Sequence, residues 1–407
     1  MRAHLRLNNH LDMFSQRNRL ILFYLFEFEQ NVRNVAVLHI QNVQPGDKMK
    51  GDFHFKTFCM KQIIKHVAGV DVAQNELVVS LGKLYDDFDI EIFAYKVFPN
   101  HLNGFKSFLN WVYKLTDTDC NVRVVMEATG VYHETFAYFL DEKSVSLSVV
   151  LPNKISNYFR TLEVKTVTDK TASEAIARFG LERKLDAWKR PKPLYKKLKQ
   201  LTRERNQIIS ARTTAKNQSH AKNVEAEISK SSLKRLKVQI ALFDKQEKEI
   251  KAEIEDLIKD APEDVRKTVE LICTIPGVGT LTAVTVLAET NDFDLIRSKA
   301  QLTSYAGLDV KEKQSGTSVK GKPRISKKGN KYLRQSMHLP ALCAIRYNDR
   351  LEALYVRLVS KHGIKMKGAV AVQRKLLELI YTIYKKQEPF NPDYVDNNKE
   401  ELIKETN

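Results

Sequence analysis

The feature that most constrains the fold is a pair of short apolar runs, HVAGVDVA at residues 66–73 and NVRVVMEATG at residues 121–130, closing on the carboxylates Asp71 and Glu127. Compact apolar runs bounded by turn residues read as strands buried on both faces. In an open α/β sheet the ends of such strands form the edge where ligands bind. The chain around them keeps switching period. ELVVSLGKL and IEIFAYKVF are strand-like, and residues 101–115 place Phe105, Phe108, Leu109 and Val112 on one helical face. Residues 131–141 read as a helix, SVSLSVVLP as a strand, and residues 154–162 as a helix. TDKTASEAIARF predicts a helix with Thr168 as N-cap and Asp169 in its first turn. A meander followed by alternating strands and helices predicts an α/β, RNase H-like layer over residues 60–185.

The flanks read differently. Residues 1–59 show no sustained period, and the apolar run from Leu20 to Phe28 contains Glu27 and lacks a small-residue cleavage site. They predict a poorly ordered or over-called extension, with a small accessory domain as the alternative. The linker AWKRPKPLY marks a boundary, after which residues 186–262 are helical and charged. There Leu233, Leu236, Ile240, Phe243, Ile250, Ile254 and Leu257 recur at three- and four-residue spacing, broken at Glu247. That predicts a coiled-coil-like hairpin or dimer arm, with an ordinary helix pair on its own core as the alternative. Residues 263–389 predict a mostly helical C-terminal domain. It opens on TIPGVGTLTAVTVLA, which has the pattern of a helix-hairpin-helix element. In such an element a turn like that around Pro276, Gly277 and Gly279 offers backbone N–H groups to a phosphate. Residues 390–407 predict a disordered tail.

Charge then narrows the partner. Of 407 residues, 67 are Lys or Arg and 49 are Asp or Glu, a net charge of +18 that points to a polyanion. The excess concentrates between Lys311 and Arg334, with nine cations against one Glu. Gly316, Gly321 and Gly329 let the backbone approach a ligand closely there. Lys320, Lys322, Arg324, Lys327 and Lys328, with Asn330 and Arg334, are candidate DNA contacts. Ser315, beside Gly316 among these cations, is a candidate nucleophile toward a phosphodiester. No stretch is long and uncharged enough for a membrane span. Cys59, Cys120, Cys273 and Cys343 are scattered with no CxxC pair, as expected of a reduced cytoplasmic protein.

Asp71, Glu127 and Asp169 are candidate ligands for Mg²⁺, a hard cation that takes oxygen donors. A metal pair held by carboxylates can clamp a phosphate during in-line displacement. Taken singly, Asp71 reads as a strand end, Glu127 as a cap and Asp169 as first-turn charge facing the helix dipole. Jointly, beside a net charge of +18 and a basic loop, they read as a metal site.

The motifs GVDVAQ, MEATGVY, VTDKTASEAIARFG, IPGVGTLTA, AGLDVKEKQSG and RISKKGNKYLR together resemble the transposases of the insertion sequence 110 family, also called bridge-RNA-guided recombinases. The resemblance spans residues 61–389. It implies a RuvC-like domain with a DEDD carboxylate set and a C-terminal domain with a catalytic serine. On that pattern Asp71, Glu127 and Asp169 are three of the four acids, and Ser315 is the nucleophile that forms a phosphoserine link to DNA. The last motif departs from the family: TDKTAS places Ala172 where the fourth acid stands. Glu174, the nearest substitute, lies five residues beyond Asp169, about 140° around a helix. The resemblance further implies homodimers or homotetramers that share active sites, and a structured guide RNA that pairs with donor and target DNA. Two rival readings remain: a Holliday-junction-type nuclease using metal and water, and a DNA-binding remnant disabled at Ala172.

Overall fold

The computed structural model describes residues 19–28, 32–41, 56–59, 61–116, 122–128, 130–164, 166–294, 296–312, 314–315, 319–321 and 323–392, with backbone alone for 19–59 and 314–320. The chain divides into two compact units, residues 1–190 and 191–407, and the division falls inside the expected linker.

In the first unit the segment expected to be poorly ordered carries strands. β1 (Arg19–Phe28), β2 (Val32–Gln41) and β3 (Lys56–Cys59) form an antiparallel sheet in that order. β1 and β2 pair residue for residue from Arg19 with Gln41 to Phe28 with Val32. The signal missed was β-propensity: both runs are rich in aromatic and β-branched residues.

The second sheet carries the carboxylates. β4 (Ile63–Val72), β5 (Glu76–Tyr85) and β6 (Ile90–Pro99) make the expected antiparallel meander. Then follow α1 (Leu102–Leu115), β7 (Val122–Glu127), α2 (Glu134–Glu142), β8 (Leu147–Val150), α3 (Pro152–Phe159) and α4 (Asp169–Glu182). The order is β6-β5-β4-β7-β8, with β7 parallel to β4 and β8 parallel to β7. This mixed sheet with its helices resembles the RuvC/RNase H-like layer expected from the sequence. Successive residues of a strand face opposite sides. Accordingly Ala68, Val70 and Val72 pack with Phe98, Phe105, Phe108 and Phe136, while Val67 packs with Ile155, Ile176 and Phe179 in a separate cluster. Burial on both faces explains why the sequence shows continuous apolar runs there.

α4 lies directly on β4. A Cβ at Gly69 would sit 2.2 Å from the Ala177 nitrogen and 2.5 Å from the Ser173 carbonyl oxygen. One at Gly180 would meet Val67 and Val125 at 2.7 and 2.8 Å. The helix therefore runs antiparallel to β4, with its N-terminus over the strand end that carries Asp71. Thr168 caps it in a reciprocal box with Thr171. At the other end Lys65 Nζ donates to the Gly180, Leu181 and Arg183 carbonyls.

In the second unit α5 (Pro193–Asn223) and α6 (Lys230–Lys259) form an antiparallel hairpin. It is laced by Lys197–Glu253, Arg205–Glu247 and Arg212–Asp244 ion pairs. Then come α7 (Glu263–Cys273), α8 (Thr280–Thr290), α9 (Lys299–Tyr305), β9 (Val310–Lys311), β10 (Gln314–Ser315), β11 (Val319–Lys320) and β12 (Arg324–Ile325). α10 (Lys331–Ser336), α11 (His338–Tyr347), α12 (Asp349–His362) and α13 (Lys365–Lys386) complete it. Residues 393–407 of the expected tail lie outside the described residues.

The arm expected over 186–262 is not separate from the domain expected over 263–389. Tyr195, Leu198 and Leu201 of α5 and Ile250 and Ile254 of α6 share one core with α8 and α13. Glu247, which breaks the apolar spacing, is buried and pairs with Arg205, Arg212 and Lys251. Burial raises its pKa, but hydrogen bonds from Lys251 and Arg212 and the charge of Arg205 win and hold it at about 2.

Gly69→Ala tests the close contact beneath the carboxylates. Because the new Cβ meets backbone, relief requires moving α4, at a cost of about 1–3 kcal/mol. A thermal melt should show Tm lowered by about 2–4 °C per kcal/mol, with the helical signal at low temperature unchanged.

Candidate functional site

The antiparallel seating of α4 and the parallel pairing of β7 bring Asp71, Glu127 and Asp169 to one edge of the sheet. Asp71 ends β4, Glu127 ends β7, and Asp169 opens α4. Asp71 and Glu127 are half-buried and Asp169 is exposed. Burial, and then the negative charge of Asp169, push the Asp71 pKa up. Burial, and then the charge of Asp71, push Glu127 up. Among the described residues no Lys, Arg or His forms an ion pair with any of the three. Like charges gathered without a counter-ion are what a divalent cation site looks like before the ion binds.

The donor set suits an open site for a hard divalent cation rather than a closed cage. Among the described residues no group of three or more His, Cys, Asp or Glu is arranged to ligate one ion on its own. Mg²⁺ keeps several waters and binds through one or two carboxylates plus substrate phosphates. Glu174, the candidate replacement for the missing acid, is turned toward Lys170 at 4.0 Å. Ala172 is followed by Ser173, which is buried and hydrogen-bonded to Ser80 at 2.7 Å.

In the other unit the basic stretch is a β-ribbon. β9 pairs with β12 and β10 pairs with β11, both antiparallel, so Ser315 is the last strand residue before residues 316–318. Its side chain, that of Lys320, and all of Gly316 and Lys322 lie outside the described residues. Lys311, Arg324, Lys327 and Lys328 are exposed, as DNA contacts require. Asn330 and Arg334, expected at the DNA, are instead used inside the protein. Asn330 Oδ1 accepts from the Tyr332 and Leu333 N–H groups and caps α10, and its Nδ2 donates to Glu289 at 2.6 Å. Arg334 Nη1 donates to the Ala306 carbonyl at 2.8 Å.

Glu289 is the anchor of this region. Its side chain is 0% exposed. Arg203 of α5 grips it with two bonds, Nε to Oε1 at 2.7 Å and Nη2 to Oε2 at 2.8 Å. Tyr305 donates to its backbone carbonyl at 3.1 Å, and the Arg203 guanidinium lies over the Tyr332 ring at 4.5 Å. The base of the ribbon is thus tied to α5, α8 and α10 through one carboxylate. Sequence reasoning passed over it, although a lone Glu in the apolar helix TLTAVTVLAET signals a buried charge that needs a partner. The preceding turn divides its candidates. Gly277, at φ +92°, is packed against Pro340 and Ala344 of α11, whereas Gly279 is open and caps α8 without a side chain. Pro276 is half-buried beside them.

Both regions fall within matches to known families. Residues 68–223 match a transposase model of the IS110 DEDD type, and residues 269–356 match the transposase IS116/IS110/IS902 family. The pilin gene-inverting protein of Moraxella bovis is 27% identical over 339 residues, 80% of this chain and 98% of its own. That of Moraxella lacunata is 28% identical over 301 residues, 72% of this chain and 89% of its own. A transposase for insertion sequence element IS1111A from Coxiella burnetii is 29% identical over 150 residues, 35% of this chain and 38% of its own.

Two outcomes follow from this geometry. A carboxylate whose folded pKa lies above its unfolded value binds more protons when folded, so it lowers stability as pH rises through that interval and keeps it low above it. Asp71→Asn should therefore raise Tm at neutral pH. Mg²⁺ should raise the Tm of the unaltered protein and much less that of the variant, as read by thermal melts with and without the ion. In the other unit, Glu289→Gln leaves Arg203 without its carboxylate. Because Arg203 is about a third exposed, the loss should be about 2–3 kcal/mol rather than the full cost of a buried orphan, measured by denaturant unfolding.

Proposed function

Because this chain belongs to the insertion sequence 110 family of transposases, we propose that it cleaves and rejoins DNA with Ser315 as nucleophile and with Mg²⁺ held by Asp71, Glu127 and Asp169. The protein is an enzyme of the transposase and DNA recombinase class. The observation that carries the mechanistic reading is the gathering of three carboxylates, without a cation, at the sheet edge of the DEDD-matched region.

When bound, the ion supplies charge that offsets the developing negative charge on a phosphate oxygen. Asp71 and Glu127, held near each other by parallel strands, place that charge at the sheet edge, and Asp169 completes the set from the helix start. The Ser315 hydroxyl supplies the attacking oxygen: the Oγ–P bond forms as a backbone P–O bond breaks, the serine proton passes to a base, and the departing oxygen takes up a proton. Rejoining reverses these steps and restores Ser315. Arg324, Lys327 and Lys328 neutralise the DNA backbone beside it. Ala172 leaves three carboxylates at the sheet edge, of which one or two can hold a cation that keeps its waters and takes substrate phosphates as further ligands.

Rejoining is favoured over simple hydrolysis by the Moraxella relatives, whose names describe gene inversion, a rearrangement that leaves DNA intact. Family membership also supports a structured RNA that chooses the sites by base pairing, and assembly as a dimer or tetramer.

A trapping assay tests the chemistry. The protein is incubated with Mg²⁺, element-junction DNA and RNA transcribed from the flanking region, then denatured. A denaturant-resistant protein–DNA adduct is expected with the unaltered chain and not with Ser315→Ala. Cleaved DNA in both samples, with no adduct in either, would instead mean a metal-and-water nuclease.

A further inference from the structure

A run of unpaired positive charge lies on α12 and α13, outside both regions in sequence. Between Glu352 and Glu378 the chain carries Arg357, Lys361, Lys365, Lys367, Arg374 and Lys375 and not one acidic residue. Arg374 and Lys375 are neutralised by Glu378. Lys361, Lys365 and Lys367 form no ion pair with any described residue, and all three are exposed. They sit within seven residues, where Gly363 at φ +67° turns the chain from α12 into α13. The turn is held shut from within: a Cβ at Gly368 would meet the Tyr355 ring at 2.7 Å.

Two further features separate this turn from an ordinary solvated face. Ile364 and Met366, interleaved with the lysines, are 48% and 58% exposed. In addition, Lys365 and Lys367 occupy the first turn of α13, where no acidic residue offsets them and where the helix dipole opposes positive charge. The protein thus holds Lys365 and Lys367 where the α13 dipole disfavours them, within seven residues of Lys361 at the end of α12. A polyanion laid across the turn offsets that positive charge, and apolar side chains between cations suit the sugar and base edges of a groove.

We propose that the α12–α13 turn is a second DNA contact, in which Lys361, Lys365 and Lys367 bind backbone phosphates of a duplex. It lies beyond residue 356, where the family match ends, and is distinct from the ribbon that carries Ser315. It rests on the reading that the protein acts on DNA. Its part is to hold the duplex, since phosphate contacts position nucleic acid without reading its sequence.

The test uses the full chain and a duplex of arbitrary sequence, with affinity measured between about 50 and 200 mM salt. The variant Lys361→Gln/Lys365→Gln/Lys367→Gln should bind more weakly, and its plot of log affinity against log salt should be shallower by about 0.9 for each lysine that contacts a phosphate. Its Tm should be unchanged or raised, because positive charge has been removed from the start of α13. A companion variant, Arg324→Gln/Lys327→Gln/Lys328→Gln, reports on the ribbon independently. If the unaltered protein binds and the α12–α13 variant matches it in affinity and slope, the proposal is wrong while the DNA reading stands. If the unaltered protein binds no duplex, the DNA reading itself fails. Vesicles containing anionic lipid form a third arm: loss of vesicle binding in the variant with duplex binding intact would assign the turn to a membrane surface and overturn the proposal.

Discussion

The contact between α4 and β4 decides whether the first unit has a candidate site at all. A helix packed on a sheet through ordinary side chains stands well off the strands, but Gly69 and Gly180 remove the side chains at both ends of this contact. The helix backbone then touches the strand backbone, and the Thr168 cap sets where the helix begins. Asp169 is thereby delivered to the strand end that carries Asp71. The parallel register of β4 and β7 delivers Glu127 to the same edge. The resulting repulsion opposes folding, which is the expected cost of a site that is completed by a cation.

A different device organises the second unit. One buried carboxylate, Glu289, is satisfied by Arg203 and Asn330, and Asn330 in turn caps α10 just beyond the basic ribbon. Removing Glu289 leaves both Arg203 and Asn330 without their shared acceptor, so the set is coupled through this one carboxylate. The long hairpin of α5 and α6 is joined to the ribbon through this group and through the shared core at its root. The base of the ribbon is therefore fixed to packed helices rather than left as a free loop.

The reaction proposed above asks unlike things of the two units: gathered carboxylates to hold a metal in the first, and exposed cations to meet DNA in the second. Ala172 stands in the first turn of the helix that carries Asp169, while Asp71 and Glu127 come from two separate strands.

Much of this was legible in the chain itself. Apolar runs at 66–73 and 121–130 announced strands buried on both faces, and Thr168 announced a helix start, because period and capping are local properties. The carboxylates at strand ends and the cation-rich stretch around Ser315 were visible for the same reason. The strands within residues 19–59 were overlooked because only composition, without regular alternation, signalled them. Asn330 and Arg334 were read as DNA contacts because they lie among exposed cations, yet both point inward. Their partners, Glu289 and the Ala306 carbonyl, lie 41 and 28 residues away in sequence. Sequence determined which residues carry charge and which elements carry those residues. Only the tertiary structure decided which charges meet and which are consumed internally, since that depends on long-range packing such as the approach of α4 to Gly69 and the burial of Glu289.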